Sequence, residues 1–173
     1  MAEYTGSGTQ EPVIWFKQTI GHACGLIGLL HAVSNGGAKQ YVKQGSDLDN
    51  LLKEAVPMKT EARASLLYHS RALELAHHSA ALKGDTAAPP AEDENEFHFI
   101  CFVKGDDGHL WELNGGMKGP VDRGALDPDG DALSEKALQL GVRTFLAKQG
   151  QEGEADLGFS IVALAPNLDW AWT

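Results

Sequence analysis

Cysteine is scarce in this chain: there are two among 173 residues, Cys24 and Cys101. Nothing near the N-terminus, MAEYTGSGTQEP, has the basic-then-apolar pattern of a secretory leader. The pair is therefore expected as free thiols rather than a disulfide framework, and the expected location is cytoplasmic or nuclear. Long apolar runs are missing too. The strongest, residues 25–33, is too short to cross a bilayer, so no membrane partner is expected. Basic residues are outnumbered, 14 Lys and Arg against 24 Asp and Glu, for a formal charge of −10. That balance argues against nucleic acid and suits a basic protein partner steered by an acidic surface. There is no internal repeat and no low-complexity block. No cofactor is expected. What remains is an ordinary globular composition, 43% apolar and 22% charged, long enough for one domain with a real core.

The pattern along the chain is mixed. Residues 1–12 read as a disordered tail, 13–166 as the folded domain and 167–173 as a second tail. Residues 13–16 are apolar and short, a strand or its end. After Gly21 and Cys24 a wide apolar face, Leu26, Ile27, Leu29, Leu30 and Val33, predicts a buried helix stopped by Asn35-Gly36-Gly37. Ser46 and Asp47 open a second helix carrying Leu48, Leu51, Leu52 and Ala55. Thr60 opens a longer one running to about Leu82. Residues 83–95 form a polar loop with two prolines and four acids, of a length that suits a lid or binding element. Phe97 to Val103 and His109 to Leu113, joined by Asp106-Asp107-Gly108, predict a β-hairpin. Residues 120–130 read as loop, 133–148 as an amphipathic helix ended by Gly150, and 159–165 as a buried strand.

One constellation suggests chemistry. A cysteine nucleophile needs a stabilised thiolate, an imidazole partner, a group to orient that imidazole, and donors for an oxyanion. Cys24 falls at a helix start, where the macrodipole favours an anion. Ala23 and Gly25 leave it room. His98 falls on the hairpin's first strand, and Asn114 follows the second, so the tight turn returns Asn114 beside His98. An amide oxygen there accepts from the imidazole Nδ1–H, and Gln18 supplies an amide donor to the oxyanion. By spacing alone the signal is weak, since a lone cysteine and a lone histidine occur in most chains of this size. The competing readings are structural. Cys101 reads as a buried thiol, and His31 as a helix-packing residue. His109 reads as a packing or hydrogen-bonding residue of the hairpin. His69 and His77 lie two turns apart and make no metal pair. Asp127-Pro128-Asp129-Gly130-Asp131 has the look of a calcium loop without the later acids, and is a turn.

The motifs add specificity. Gln18-Thr-Ile-Gly-His-Ala-Cys24-Gly-Leu-Ile-Gly-Leu-Leu-His-Ala resembles the active-site segment of the ubiquitin carboxyl-terminal hydrolases, a family of cysteine proteases. Phe97-His98-Phe99-Ile100 resembles the segment of that family's histidine. Asp107-Gly108-His109-Leu110-Trp111-Glu112-Leu113-Asn114-Gly115 is similar to its Asp-Gly-His-Leu-Tyr-Glu-Leu-Asp-Gly, and residues 159–164 to its last strand. The resemblance implies an α+β, papain-like fold with a central antiparallel sheet flanked by helices. It implies Cys24 as nucleophile, His98 as general acid/base, Gln18 as oxyanion donor and Asn114 in the orienting place. The implied reaction is hydrolysis of amides or esters at the ubiquitin C-terminal glycine through an acyl-enzyme. The implied partner is ubiquitin, with NEDD8 as the alternative. Residues 83–95 fall where the family has its crossover loop.

The chain departs from the family in two places. Asn114 stands where the family has an aspartate, which predicts reduced but measurable turnover. About a dozen polar residues precede Val13, where members usually carry further strands. A sheet lacking those N-terminal strands is therefore expected. The alternatives to a hydrolase are a ubiquitin-family binding protein that turns over weakly or not at all, and a fragment without a fold of its own.

Overall fold

A computed structural model describes residues 3–85, 97–152 and 159–165. The architecture is α+β. Among the described residues six helices, α1 (Cys24–Ser34), α2 (Asp47–Ala55), α3 (Thr60–His69), α4 (Arg71–Ala81), α5 (Glu135–Leu140) and α6 (Val142–Glu152), accompany three strands. The strands β1 (Cys101–Lys104), β2 (His109–Leu113) and β3 (Val121–Ala125) form one antiparallel sheet in the order β1-β2-β3. The 3-10 turn Gly36–Tyr41 follows α1 directly.

The expected hairpin is present, with Cys101 opposite Leu113 and Lys104 opposite Leu110. Its first strand begins later than expected, at Cys101, and residues 97–100 lie outside it. β3 was expected as loop. Val-Asp-Arg-Gly-Ala has no apolar alternation because polar pairs hold it instead. Arg123 bonds the buried Glu112 across the strands, and the His109 ring meets Asp122 at 2.9 Å. The register shifts between Leu110 and Trp111, opposite Gly124, whose φ of +115° an L side chain rarely adopts.

The second helix forms as its sequence predicts, with the Ser46 hydroxyl accepting from the Asp49 N–H at 3.2 Å. The long helix from Thr60 is two helices. At Ser70 the side chain accepts from the Leu73 N–H at 3.3 Å, which makes it an N-cap and breaks an otherwise continuous periodicity. The helix expected over 133–148 is likewise broken, at Gly141 (φ −106°, ψ −101°), and its second half continues past Gly150 to Glu152.

Residues 13–16 are almost wholly buried yet pair with no strand. Their side chains alternate between two cores. Ile14 and Phe16 pack with Ile27, Leu30, Leu51, Ala55 and Leu67 beneath the helices. Val13 and Trp15 pack with Val103 and Leu113 on the sheet. A third, smaller core, Leu110, Leu126 and Ala137, seats α5. Two side chains of α1's C-terminal end satisfy the buried main chain. Asn35 Oδ1 accepts from the Ile14 N–H at 2.8 Å, and its Nδ2 donates to the Ile14 carbonyl at 3.0 Å. His31 Nε2 accepts from the Phe16 N–H at 2.9 Å. Helix α1 buries Cys24, Ile27, Leu30 and His31, but Leu29, counted in its expected buried face, is 57% exposed.

The segment before residue 13, expected as a loose tail, is irregular but anchored. Tyr4 N–H donates to the Lys118 carbonyl, and the Tyr4 ring packs edge-on against Trp15. Its hydroxyl donates to Glu11 at 2.8 Å. Glu11 in turn pairs with Arg63, which is fully buried and also donates to the carbonyls of Ala55 and Val56. A buried guanidinium with this many acceptors is held firmly, because each unmade bond in the interior is costly.

Residues 159–165 do not form the expected buried strand. They are irregular and exposed, Val162 to 85%, and no strand among the described residues pairs with them. The C-terminal tail expected over 167–173 lies outside the described residues.

His31 generates a prediction. Burial lowers its pKa from 6.5 to about 4. The folded state therefore binds a proton less readily than the unfolded chain. Stability is full above about pH 6.5 and is lost progressively as the pH falls toward 4. Urea melts at pH 7 and pH 5 should differ by about 2 kcal/mol through this residue, and the difference should vanish in His31→Gln.

Candidate active site

The loop of residues 17–23 leaves the buried 13–16 segment and enters α1 at Cys24, the expected nucleophile. The Gln18 N–H donates to the Gly115 carbonyl at 2.8 Å, which staples this loop to the end of β2. Position 115 must be glycine for that approach. A Cβ there would sit 2.9 Å from both Gln18 Cβ and Ile27 Cγ2.

Cys24 is the first residue of α1 and is buried, with 8% exposure. The preceding Ala23 provides no side-chain cap. The first-turn N–H groups of α1 thus have no side-chain cap. His22, just before, has a φ of 54°. This left-handed conformation is several-fold enriched for Asn, Asp and His among non-glycine residues, and it turns the chain sharply into the helix.

The hairpin brings His98 and Asn114 together. The His98 Nε2 lies 2.8 Å from Asn114 Oδ1. The expected contact was through Nδ1; the ring instead offers its far nitrogen. His98 also lies on the exposed segment before β1 rather than on the hairpin's first strand. Its neighbour Phe99 packs on the first turns of α1. The Phe99 ring comes within 3.6 Å of where a Cβ on Gly25 would sit, and its Cβ within 3.7 Å of the same point on Gly28. The two glycines of the Cys-Gly-Leu-Ile-Gly motif thereby admit the histidine segment alongside the nucleophile's helix turn.

Gln18 is bonded within its own loop, its Nε2 donating to the Ile20 carbonyl at 3.2 Å while its Oε1 is buried without a partner. A primary amide has two N–H groups, so one donor remains for an oxyanion. Beside the loop lies an apolar groove of about 160 Å³, lined by Ile20, Ala23, Leu26, Leu67 and Leu73 among others.

One participant that sequence reasoning missed is a main-chain group. The Gly116 N–H donates to Asn114 Oδ1 at 2.9 Å. Only the run of small residues after Asn114 hinted that the chain bends back there.

The rival chemistries dissolve on inspection. Cys101 is partly buried on β1, and desolvation pushes its thiol up to about 12, the mark of an inert structural cysteine. His109 bonds Asp122 within the sheet. His69 is tied to the carbonyl of Ser65, one turn back. The carbonyls of Asp127, Pro128 and Gly130 do converge on a cation, but it is the Lys104 ammonium, at 3.2, 2.8 and 2.6 Å. No group of metal-binding side chains occurs among the described residues.

With this geometry in hand, comparison with known proteins is direct. The model of the ubiquitin carboxyl-terminal hydrolase family 1 matches residues 2–147. The chain belongs to that family. It is 37% identical over 162 residues to ubiquitin carboxyl-terminal hydrolase isozyme L1 of Rattus norvegicus, covering 94% of this chain and 68% of that protein. It is 34% identical over 155 residues to ubiquitin carboxyl-terminal hydrolase 3 of Arabidopsis thaliana, covering 90% of this chain and 62% of that one. Among solved structures it is similar to the Trichinella spiralis UCH37 catalytic domain bound to ubiquitin vinyl methyl ester, with a TM-score of 0.64. That likeness has 20% identity, covers 90% of this chain and 65% of that one, and shows the fold. The chain thus spans about two thirds of the length of its relatives.

The turn at His22 can be tested in this light. A β-branched side chain tolerates the left-handed conformation poorly, whereas asparagine accepts it. His22→Val should be less stable than His22→Asn by about 1 kcal/mol in thermal or urea melts. Equal stabilities would show that the loop relaxes out of this conformation.

Proposed function

We propose that this chain is a cysteine-type ubiquitin C-terminal hydrolase that cleaves amides or esters at the ubiquitin C-terminal glycine. The observation that carries the reading is the 2.8 Å contact of His98 with Asn114, held beside the first turn of α1 that begins at Cys24. Family membership supplies the substrate, since the relatives are named for ubiquitin and the structural neighbour is bound to a ubiquitin ester.

The chemistry follows from these parts. Asn114 holds the Nε2 side of the His98 ring, so Nδ1 is the nitrogen left to exchange a proton with the Cys24 thiol. The thiolate Sγ attacks the glycine carbonyl carbon, and the carbonyl π electrons move to oxygen. First-turn N–H groups of α1 and the second Gln18 amide N–H receive that oxyanion. As the tetrahedral adduct collapses, the C–N or C–O bond breaks and imidazolium Nδ1–H protonates the leaving group. A thioester remains on Cys24. Water, deprotonated by the now neutral Nδ1, attacks it and releases the ubiquitin carboxylate and the thiol.

Asn114 bears on the rate, not the route. A neutral amide orients the ring but stabilises an imidazolium less than a carboxylate does. Hydrogen bonds to charged groups are worth about 1 kcal/mol more than neutral ones. Asn114→Asp should therefore raise kcat about fivefold on a fluorogenic ubiquitin C-terminal amide. In the same assay Cys24→Ala should lose at least about a thousandfold in kcat. Turnover that survives Cys24→Ala would refute the nucleophile. Retained ubiquitin binding without any Cys24-dependent turnover would replace the hydrolase by a binding protein.

A further inference from the structure

Asn114 has a choice that an aspartate does not. Its oxygen and its NH₂ group have nearly the same shape, and a half-turn of the amide exchanges them. In one orientation Oδ1 faces His98, so the ring must present Nε2–H. In the other, the NH₂ donates to a bare Nε2, the proton sits on Nδ1, and the nitrogen needed to accept the thiol proton is lost. The two amide orientations are thus two tautomers of His98.

We infer that the main-chain N–H of Gly116 selects the productive tautomer of His98 by fixing the orientation of the Asn114 amide. This rests on the hydrolase reading for its catalytic meaning, but its geometry stands by itself. A backbone N–H can only donate. The atom 2.9 Å from it must therefore be an acceptor, which makes it Oδ1, and that same atom lies 2.8 Å from His98 Nε2. Turning the amide would set the NH₂ against the Gly116 N–H and Nε2 against a donor, losing the Gly116 bond outright. Gly116 is a positioning residue, acting through Asn114. Its lack of a side chain helps, since a Cβ would stand 3.3 Å from Oδ1 and 3.9 Å from Nε2.

The test reads the tautomer directly and needs no substrate. Long-range ¹H–¹⁵N spectra of the full chain carrying Cys24→Ala, which keeps the imidazole free of the thiolate, should show Nε2 protonated and Nδ1 bare at pH 8. His98→Gln assigns the signals. Nδ1–H as the main form overturns the inference, and Cys24-dependent turnover, measured separately, decides the hydrolase reading. Gly116→Pro removes the N–H and should mix the tautomers, whereas Gly116→Ala keeps the N–H and the Nε2–H form. In kinetics with Cys24 present, Gly116→Pro should lower kcat about tenfold with Asn114 in place. It should do so less than threefold in the Asn114→Asp background, where both orientations present an oxygen. Equal losses in the two backgrounds would refute the selection. Where the proline variant does not fold, amide exchange decides. The Gly116 N–H should be protected in the parent and lose that protection in Asn114→Ala, and an unprotected Gly116 in the parent refutes the proposal.

Discussion

A buried peptide segment without a strand partner must find its hydrogen bonds elsewhere, and residues 13–16 find three of them at the C-terminal end of α1, while the Trp15 carbonyl accepts from Arg63 of α3. Asn35 takes both main-chain groups of Ile14, as a neighbouring strand would, and His31 takes the N–H of Phe16. The same helix begins with Cys24. The side chains that clasp the incoming chain and the residue that opens the helix therefore belong to one rigid body, about two to three turns apart. Loop 17–23 has to span from Phe16 to Cys24 between points both fixed by α1. That closure accounts for the left-handed residue at His22 and for a Gln18 whose amide is drawn back onto Ile20. His31 serves this role only while Nε2 keeps its lone pair, so its depressed basicity is a condition of the architecture as well as a result of burial.

The other half of the site is assembled by a different rule. The hairpin delivers His98 and Asn114 to each other through strand register, and the Gly115 carbonyl ties that unit to Gln18. Two independent frames, the clasped helix and the hairpin, thus meet at a few glycines. Gly25 and Gly28 take Phe99, and Gly115 takes the nucleophile loop. Steric room at these positions is required, because a Cβ at Gly115 would crowd Gln18 and Ile27.

Much of this was legible from the sequence, for physical reasons that also mark what was not. Helix starts at Cys24 and Asp47 were readable because their signals are local: a glycine-flanked apolar run and a serine cap. The hairpin was readable from its Asp-Gly turn and alternating strands. The pairing of His98 with Asn114 followed from that turn. The breaks at Ser70 and Gly141 were hidden because apolar periodicity runs through them. β3 was hidden because it is held by Glu112–Arg123 and His109–Asp122, pairs visible only once β2 lies beside it. Residues 159–165 have the composition of a buried strand, but burial depends on a partner that composition does not report. The ring nitrogen used by His98 was misjudged for a similar reason. Which edge of an imidazole meets its partner depends on how the chain enters, and here it enters on a segment outside the sheet.

The substitution of an amide for a carboxylate at position 114 changes what the surrounding main chain must do. A carboxylate is symmetric, so any nearby donor merely adds to its hydrogen bonding. An amide is polar along the axis that faces the histidine, so a donor on its flank decides which end the histidine meets. The Gly116 N–H, which beside an aspartate would be one more stabilising contact, becomes beside Asn114 the group on which the tautomer turns. The bend at Gly115-Gly116 therefore has two consequences of one geometry. It lets the nucleophile loop approach β2, and it aims a main-chain donor at the one oxygen that must not rotate away from His98.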